Sequence, residues 1–134
     1  MRIVILGSGR LGSRLANVLA SEGHAIAIVD HDETKFRSLE EVPNLIRVHG
    51  NIFDDQIVRP IFSPPPDLFI VVTGNDNVNL MVAQAMQRQY HIHRVLVRVF
   101  DPTLSEMYQQ LGLETICPTD FAIAEMCKRV RKQS

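Results

Sequence analysis

Several things are missing from this sequence, and each absence closes off a class of protein. There is no surplus of charge: 14 Lys and Arg against 15 Asp and Glu leave a net charge of −1. A protein that grips nucleic acid by its phosphates normally carries a basic stripe, so nucleic acid is not expected as a partner. No apolar run approaches the roughly 20 residues that cross a bilayer. The short run Ile3–Leu6 gives way at once to glycine turn chemistry, unlike the apolar core of a signal peptide, and the chain is expected in the cytosol. Cysteine is scarce. Cys117 and Cys127 match no metal or redox spacing and read as buried free thiols in a reducing compartment. There is no internal repeat and no low-complexity tract. Ser63-Pro64-Pro65-Pro66-Asp67 is a stiff turn, too short to link domains. What remains is an ordinary globular balance, 46% hydrophobic and 22% charged. Residues 1–134 therefore read as a single domain with a proper core.

The stretch that organises the chain is Arg2–Gly12. An apolar strand runs into Gly7, Gly9 and Gly12, the G-x-G-x-x-G spacing, and a helical pattern follows without a linker. Gly7 lets the chain leave the strand sharply. Gly9 has no Cβ, so its backbone can approach a pyrophosphate. Gly12 lets the helix lie close to the sheet. Free N–H groups at the helix start, with the positive end of the helix dipole behind them, then face the phosphates.

Strands and helices alternate from there. The expected strands are 2–6, 25–29, 45–49, 68–72, 94–100 and 114–117. Helical periodicity predicts a first helix from about Arg10 to Glu22 with Leu11, Leu15, Val18 and Leu19 inward. A second helix, Glu33–Glu41, is capped by Asp32 and buries Phe36 and Leu39, and one or two turns span Asp54–Ile61. A fourth helix follows Thr73–Asp76, with Val78, Met81, Val82, Ala85 and Met86 as its buried stripe. Asp101-Pro102 starts a fifth, with Leu104, Met107, Tyr108 and Leu111 inward, stopped by Gly112. Pro118-Thr119-Asp120 starts a last helix carrying Ile123, Met126, Cys127 and Val130 on one face. Strands apolar on both faces, alternating with helices, mark a parallel sheet covered on both sides: a Rossmann-like three-layer α/β fold of about six strands in the order 3-2-1-4-5-6. A ligand then lies over the carboxyl ends of strands one and four.

Asp30 closes the second strand, 18 residues after Gly12. That is close to the spacing of about 20 at which an acid holds the ribose hydroxyls of a bound nucleotide. A carboxylate there repels a 2′-phosphate, and His31-Asp32 follows rather than Arg or Lys. The site therefore favours NAD(H), ATP or ADP over NADP(H).

Three further stretches narrow the reading. They are Thr73-Gly74-Asn75-Asp76-Asn77-Val78-Asn79-Leu80, Val97-Arg98-Val99-Phe100-Asp101-Pro102, and Leu111–Pro118. With the glycine motif and Asp30, in this order and spacing, the chain resembles the RCK domain, also called KTN or TrkA-N, from about Met1 to Ala124. That family regulates Trk and Ktr potassium transporters and some potassium channels. The resemblance implies a ligand-gated regulator: a cytosolic module at the inner face of the membrane that binds NAD(H), ATP or ADP. It implies a homodimer or higher ring assembly beneath a membrane potassium-translocating subunit. It also implies that Arg10 lies near the phosphates, that Thr73 and Asn75 form the turn beside the ligand, and that Arg98 is a phosphate neighbour; Arg98 can alternatively pair with Asp101 or a helix end. The cofactor-binding set expected from motif and resemblance together is Gly7, Ser8, Gly9, Arg10, Leu11, Gly12, Asp30, His31, Asn51, Ile52, Thr73, Gly74, Asn75 and Arg98. Two departures stand out. The family usually has Gly-Asp after strand three, near the adenine, where this chain has Gly50-Asn51. An amide both donates and accepts, so adenine can still bind. The smaller C-terminal lobe of many members is missing. Either it is a separate polypeptide, or the protein works without it, or the chain has been cut from a longer one.

The rival is a small NAD-dependent oxidoreductase, or the detached dinucleotide-binding domain of one. No residues remain for a substrate domain, and no nucleophile–base pair or paired carboxylates converge on the expected cleft. Asp54-Asp55 and Glu40-Glu41 read as solvated surface, and His91 and His93 as surface rather than metal ligands. His49 reads as structural. An adaptor that has lost its ligand is a third alternative, opposed by the intact glycines and Asp30, since an idle Gly9 gains stability by becoming larger.

Overall fold

A computed structural model describes residues 1–132. Six parallel strands form one sheet in the order β3-β2-β1-β4-β5-β6. They are β1 (Arg2–Leu6), β2 (Ala25–Asp30), β3 (Leu45–His49), β4 (Leu68–Val71), β5 (Val95–Arg98) and β6 (Glu114–Ile116). The order reverses between β1 and β4, the point at which crossovers leave in opposite directions and open a crevice at the carboxyl ends of the strands. One face of the sheet is covered by α1 (Arg10–Ser21) and a 3-10 segment, Glu33–Ser38. The other carries α2 (Asp55–Phe62), α3 (Asp76–Tyr90) and α4 (Pro102–Gln110). The last helix, α5 (Pro118–Lys132), buries none of its side chains.

The fold is the expected one, but several helices turn a different side inward. In α1 the buried residues are Gly12, Ser13, Ala16 and Ala20, while Leu11 and Val18 are exposed. The helix sits so close to the sheet that only small side chains fit beneath it. A Cβ on Gly12 would stand 1.8 Å from the carbonyl oxygen of Gly7. In α3 the buried side is Asn79, Leu80, Val82, Ala83 and Met86, so Val78 and Met81 leave the expected stripe and face outward. In α4, Ser105 is buried against Thr115, their hydroxyls 2.8 Å apart, whereas Met107 and Leu111 are exposed. The segment after β2 is one short 3-10 helix, ending at Ser38, yet Asp32 caps it and Phe36 and Leu39 are buried as expected. Cys117 is buried, but Cys127 on the unpacked α5 is only half-buried. Asp55 is not idle surface: it pairs with Arg59 and accepts a hydrogen bond from the Tyr90 hydroxyl, which together hold its carboxyl below the usual carboxylate range.

Gly12→Ala forces a methyl group into the Gly7 carbonyl, where backbone cannot yield. The substitution is expected to cost at least about 3 kcal/mol of stability, seen as a lower urea midpoint at unchanged slope.

Candidate functional site

The turn that leaves β1 is built by backbone geometry. Gly7 has φ +110°, a conformation costly for a residue with a side chain, and a Cβ there would meet the Val72 carbonyl at 2.9 Å. Gly9 is the residue preceding α1, in extended conformation. No side chain caps this helix, so its first N–H groups are open. A Cβ on Gly9 would meet nothing within 4 Å. Of the three motif glycines, two are therefore explained by contacts inside the chain, and Gly9 is not.

Ser8 is turned inward. Its N–H donates to Asp30 at 2.8 Å, and its hydroxyl donates to the Lys35 carbonyl and lies 2.9 Å from the Ser13 hydroxyl. Ser13 in turn donates to the Ser8 carbonyl. Asp30 also accepts the Asp32 N–H at 2.9 Å, through its other oxygen, and the His31 ring lies 3.6 Å away. Asp30 is 4% exposed, yet it lines the cleft. A carboxylate offers about four acceptor positions, so two remain for a ligand.

The opposite wall is tied together by Asn79, which is fully buried. Its amide nitrogen donates to the carbonyls of Thr73 and Arg98, each at 3.0 Å. Its oxygen accepts from the Thr73 N–H and the Thr73 hydroxyl. Asn75 caps α3 by accepting the Val78 N–H. Asp76 reaches across to accept the N–H groups of Phe100 and Asp101. Together these bonds join the end of β4 to the end of β5. Arg98 lies beside this joint. Its guanidinium donates to the carbonyls of Val72 and Thr73 and stacks over Phe100, 4.6 Å from the ring centre. It does not pair with Asp101, whose side chain caps α4 instead. Its Nε is buried without a hydrogen-bond partner, and burial lowers its pKa while Asp76 opposes the shift. An arginine stays charged regardless.

Between these walls lies a cleft of about 620 Å³ at the carboxyl ends of β1, β2, β3 and β4. Ten of the expected residues line it: Gly7, Gly9, Asp30, His31, Asn51, Ile52, Thr73, Gly74, Asn75 and Arg98. Ser8 and Gly12 stand behind the turn as supports, and Arg10 and Leu11 point along the exposed side of α1, outside the lining. The cleft also contains Gly50, which the sequence reading placed in the loop after strand three, and Leu6, Lys35, Phe53, Val72, Val78 and Met81, which it left out. Phe53 carried a usable signal, as a large aromatic residue in a polar turn just past a strand end. Lys35 and Met81 carried none, since each reaches the cleft only because its helix is rotated as the fold requires. Among the described residues no His, Cys, Asp and Glu gather as a metal site, and no helix is long and apolar enough to cross a membrane.

The sequence model of the TrkA-N domain matches residues 3–118. The chain is 35% identical over 130 residues to the Trk system potassium uptake protein TrkA of Streptomyces coelicolor, covering 97% of this chain and 58% of that protein. It is 30% identical over 116 residues to the Trk system potassium uptake protein TrkA homolog of Methanothermobacter thermautotrophicus, covering 87% of this chain and 53% of the other. The chain thus spans a little over half the length of these relatives. Among solved structures, the TrkA-N domain of the inner membrane protein ybaL from Escherichia coli superposes with a TM-score of 0.81 at 15% identity, over 95% of this chain and 94% of that one. The Shewanella denitrificans Kef CTD in AMP-bound form superposes with a TM-score of 0.76 at 17% identity, over 100% of this chain and 82% of the other.

Asn79→Asp keeps the shape of the joint but aims carboxylate oxygens at two carbonyls. It is expected to cost about 3 kcal/mol at neutral pH. The buried carboxyl's pKa is raised by folding, so stability should partly return as pH falls and it regains a donor. Urea titrations at pH 7 and pH 5 check both statements.

Proposed function

Because this chain belongs to the TrkA-N domain family, we propose that it is a nucleotide-binding regulatory module of a potassium-transport system, answering to NAD(H), ATP or ADP and not itself a catalyst. The observation that carries this reading is Gly9. It sits at the open start of α1, on the lip of the cleft, with empty space where a side chain would stand. Nothing inside the chain needs a glycine there, whereas a diphosphate laid against the helix start does.

The rest of the cleft supports the same ligand. Asp30 has two acceptor positions left for ribose hydroxyls and repels a 2′-phosphate, which disfavours NADP(H). Arg98 is half-buried, forms no ion pair among the described residues and borders the cleft, so an anionic group there answers an unmatched charge. Arg10 stands at the start of α1, outside the lining, and reaches phosphates only where they extend beyond the turn. Thr73, Gly74 and Asn75 form the far wall, and Asn51 and Ile52 the end wall. The AMP held by the Shewanella denitrificans domain is consistent with this ligand class. The polar groups of the cleft are placed to hold a ligand rather than to move a proton: both Asp30 oxygens already accept backbone N–H groups.

Regulation follows from assembly. Phe121, Ile123, Met126 and Val130 of α5 are left exposed, and no residue of that helix is buried. Sheet residues Leu96 and Ile116, which no helix fully covers, are left half-buried. A second copy that shelters these surfaces makes a homodimer, and rings of dimers sit beneath a membrane potassium-translocating subunit at the cytoplasmic face. A C-terminal lobe on a separate chain is compatible with the same surfaces. Nucleotides that differ in their terminal phosphates shift the assembly by their differential affinity for its two shapes.

A thermal-shift panel of NAD, NADH, ATP, ADP and NADP is the direct test. Stabilisation by the first four and not by NADP is expected; turnover of NADH with a small substrate would revive an oxidoreductase. Gly9→Ala should melt as the parent does, yet lose at least tenfold in nucleotide affinity, about 1.4 kcal/mol. Multi-angle light scattering at micromolar concentration should give a dimer or larger, and a strict monomer would count against the assembly.

A further inference from the structure

Two side chains of fixed positive charge line the cleft, Arg98 and Lys35. They belong to opposite sides of the turn that leaves β1, because β1 lies between β2 and β4 in the sheet. On the β4 side, the Val72 carbonyl that crowds Gly7 also accepts a hydrogen bond from the Arg98 guanidinium. On the β2 side, the Ser8 hydroxyl donates to the Lys35 carbonyl at 3.1 Å. Successive residues of the turn are thus flanked by a guanidinium on one side and by the backbone of a lysine on the other.

Lys35 is held at its root and free at its head. Its N–H donates to the Asp32 carbonyl at 3.1 Å, within the 3-10 segment that Asp32 caps, and its carbonyl takes the Ser8 hydroxyl. Its ammonium forms no ion pair and no hydrogen bond among the described residues. The acids of the same stretch are engaged elsewhere. Asp30 accepts the N–H groups of Ser8 and Asp32, Asp32 accepts from the Thr34 N–H and hydroxyl, and Glu33 lies beside His49. A lysine is a point charge on a flexible four-carbon stem. With the root fixed beside the turn, the head follows an anion there without needing one set orientation.

The neighbours of Lys35 say which anion. Ser8 meets the Lys35 carbonyl through its hydroxyl and the Asp30 carboxylate through its N–H. The root of the lysine and the ribose acid therefore share one residue of the turn. This step rests on the nucleotide-binding function proposed for the cleft. In a nucleotide laid over the turn, the group next to the ribose is its first phosphate, and later phosphates run on toward β4 and Arg98. That first phosphate is also the one brought nearest the negative Asp30, where a cation offsets the repulsion. We propose that Lys35 binds the ribose-linked phosphate, while Arg98 serves the far end of the phosphate chain. Nucleoside monophosphates and diphosphates then gain equally from Lys35, and an uncharged nucleoside gains nothing.

Isothermal titration of the full chain with adenosine, AMP and ADP, repeated on Lys35→Met and Lys35→Arg, tests this. The bond to Ser8 uses the Lys35 carbonyl and the side chain is exposed, so both variants should melt as the parent does. Lys35→Met should lose AMP and ADP affinity by the same factor, at least about fivefold, and change adenosine affinity less than twofold. Its ADP affinity should also fall less steeply between about 50 and about 300 mM salt. Lys35→Arg should keep AMP and ADP within about threefold of the parent. Equal loss of adenosine, loss of ADP without AMP, or no loss at all overturns the inference and leaves the nucleotide reading intact. If adenosine binds too weakly to titrate, the salt dependence decides, and the same slope in parent and Lys35→Met overturns it. Lower melting of both Lys35→Met and Lys35→Gln makes the residue structural and overturns it too. Failure of AMP, ADP and NAD alike to bind the parent removes the nucleotide reading, and this inference with it.

Discussion

The carbonyl of Gly7 occupies the place where a side chain on residue 12 would stand. That contact between the exit of β1 and the first turn of α1 sets everything around it. It seats the helix on the sheet through small residues, Ser13, Ala16 and Ala20, rather than through the leucines. It turns Ser8 inward, so that a backbone N–H meets the carboxylate closing the next strand. It leaves the open end of α1 facing the crevice, with Gly9 as its uncovered lip. A helix held one side-chain diameter further away would make none of these contacts.

The other wall depends on a second constraint, a buried amide with its hydrogen-bonding capacity fully used. Asn79 can sit in the core because the carbonyls of Thr73 and Arg98 and the N–H of Thr73 meet it there. A buried polar group costs stability only when unsatisfied. Asp76 adds two further bonds to the chain after β5. The wall is thus fastened by neutral groups and one carboxylate–backbone clasp. The nearby guanidinium of Arg98 donates from one terminal nitrogen to the carbonyls of Val72 and Thr73, while its Nε is buried without a hydrogen-bond partner.

These two constraints explain which parts of the molecule were legible beforehand. The strand order was, because six apolar runs separated by helical patterns admit few arrangements once crossovers are right-handed. The polar turn Thr73–Leu80 and the Arg98–Pro102 stretch were recognisable because their residues serve the Asn79 and Asp76 joint. The helix faces were less so. Periodicity seeks large apolar residues, and it chose Leu11 and Val18 in α1 and Met81 in α3, all exposed. The real inner faces include Gly12, Ser13, Ser105 and Asn79, chosen by closeness and by hydrogen-bond partners rather than by hydrophobicity. Likewise Asn51 reads as a free amide, until the Phe53 N–H takes one acceptor position of its oxygen.

The amino-acid sequence by itself determined the elements, their order in the sheet and the turn that faces the cleft. Each of those depends on spacing along a short stretch of chain: alternation, helical period and three glycines. Only the tertiary structure decided which side chains meet in the cleft and what each still has to offer there. Asp30 spends one oxygen on Ser8, and Asn79 spends its protons on Thr73 and Arg98. Most of these partners lie far apart along the chain, and hydrogen-bonding capacity left over after folding is a property of the assembled neighbourhood, not of any residue alone.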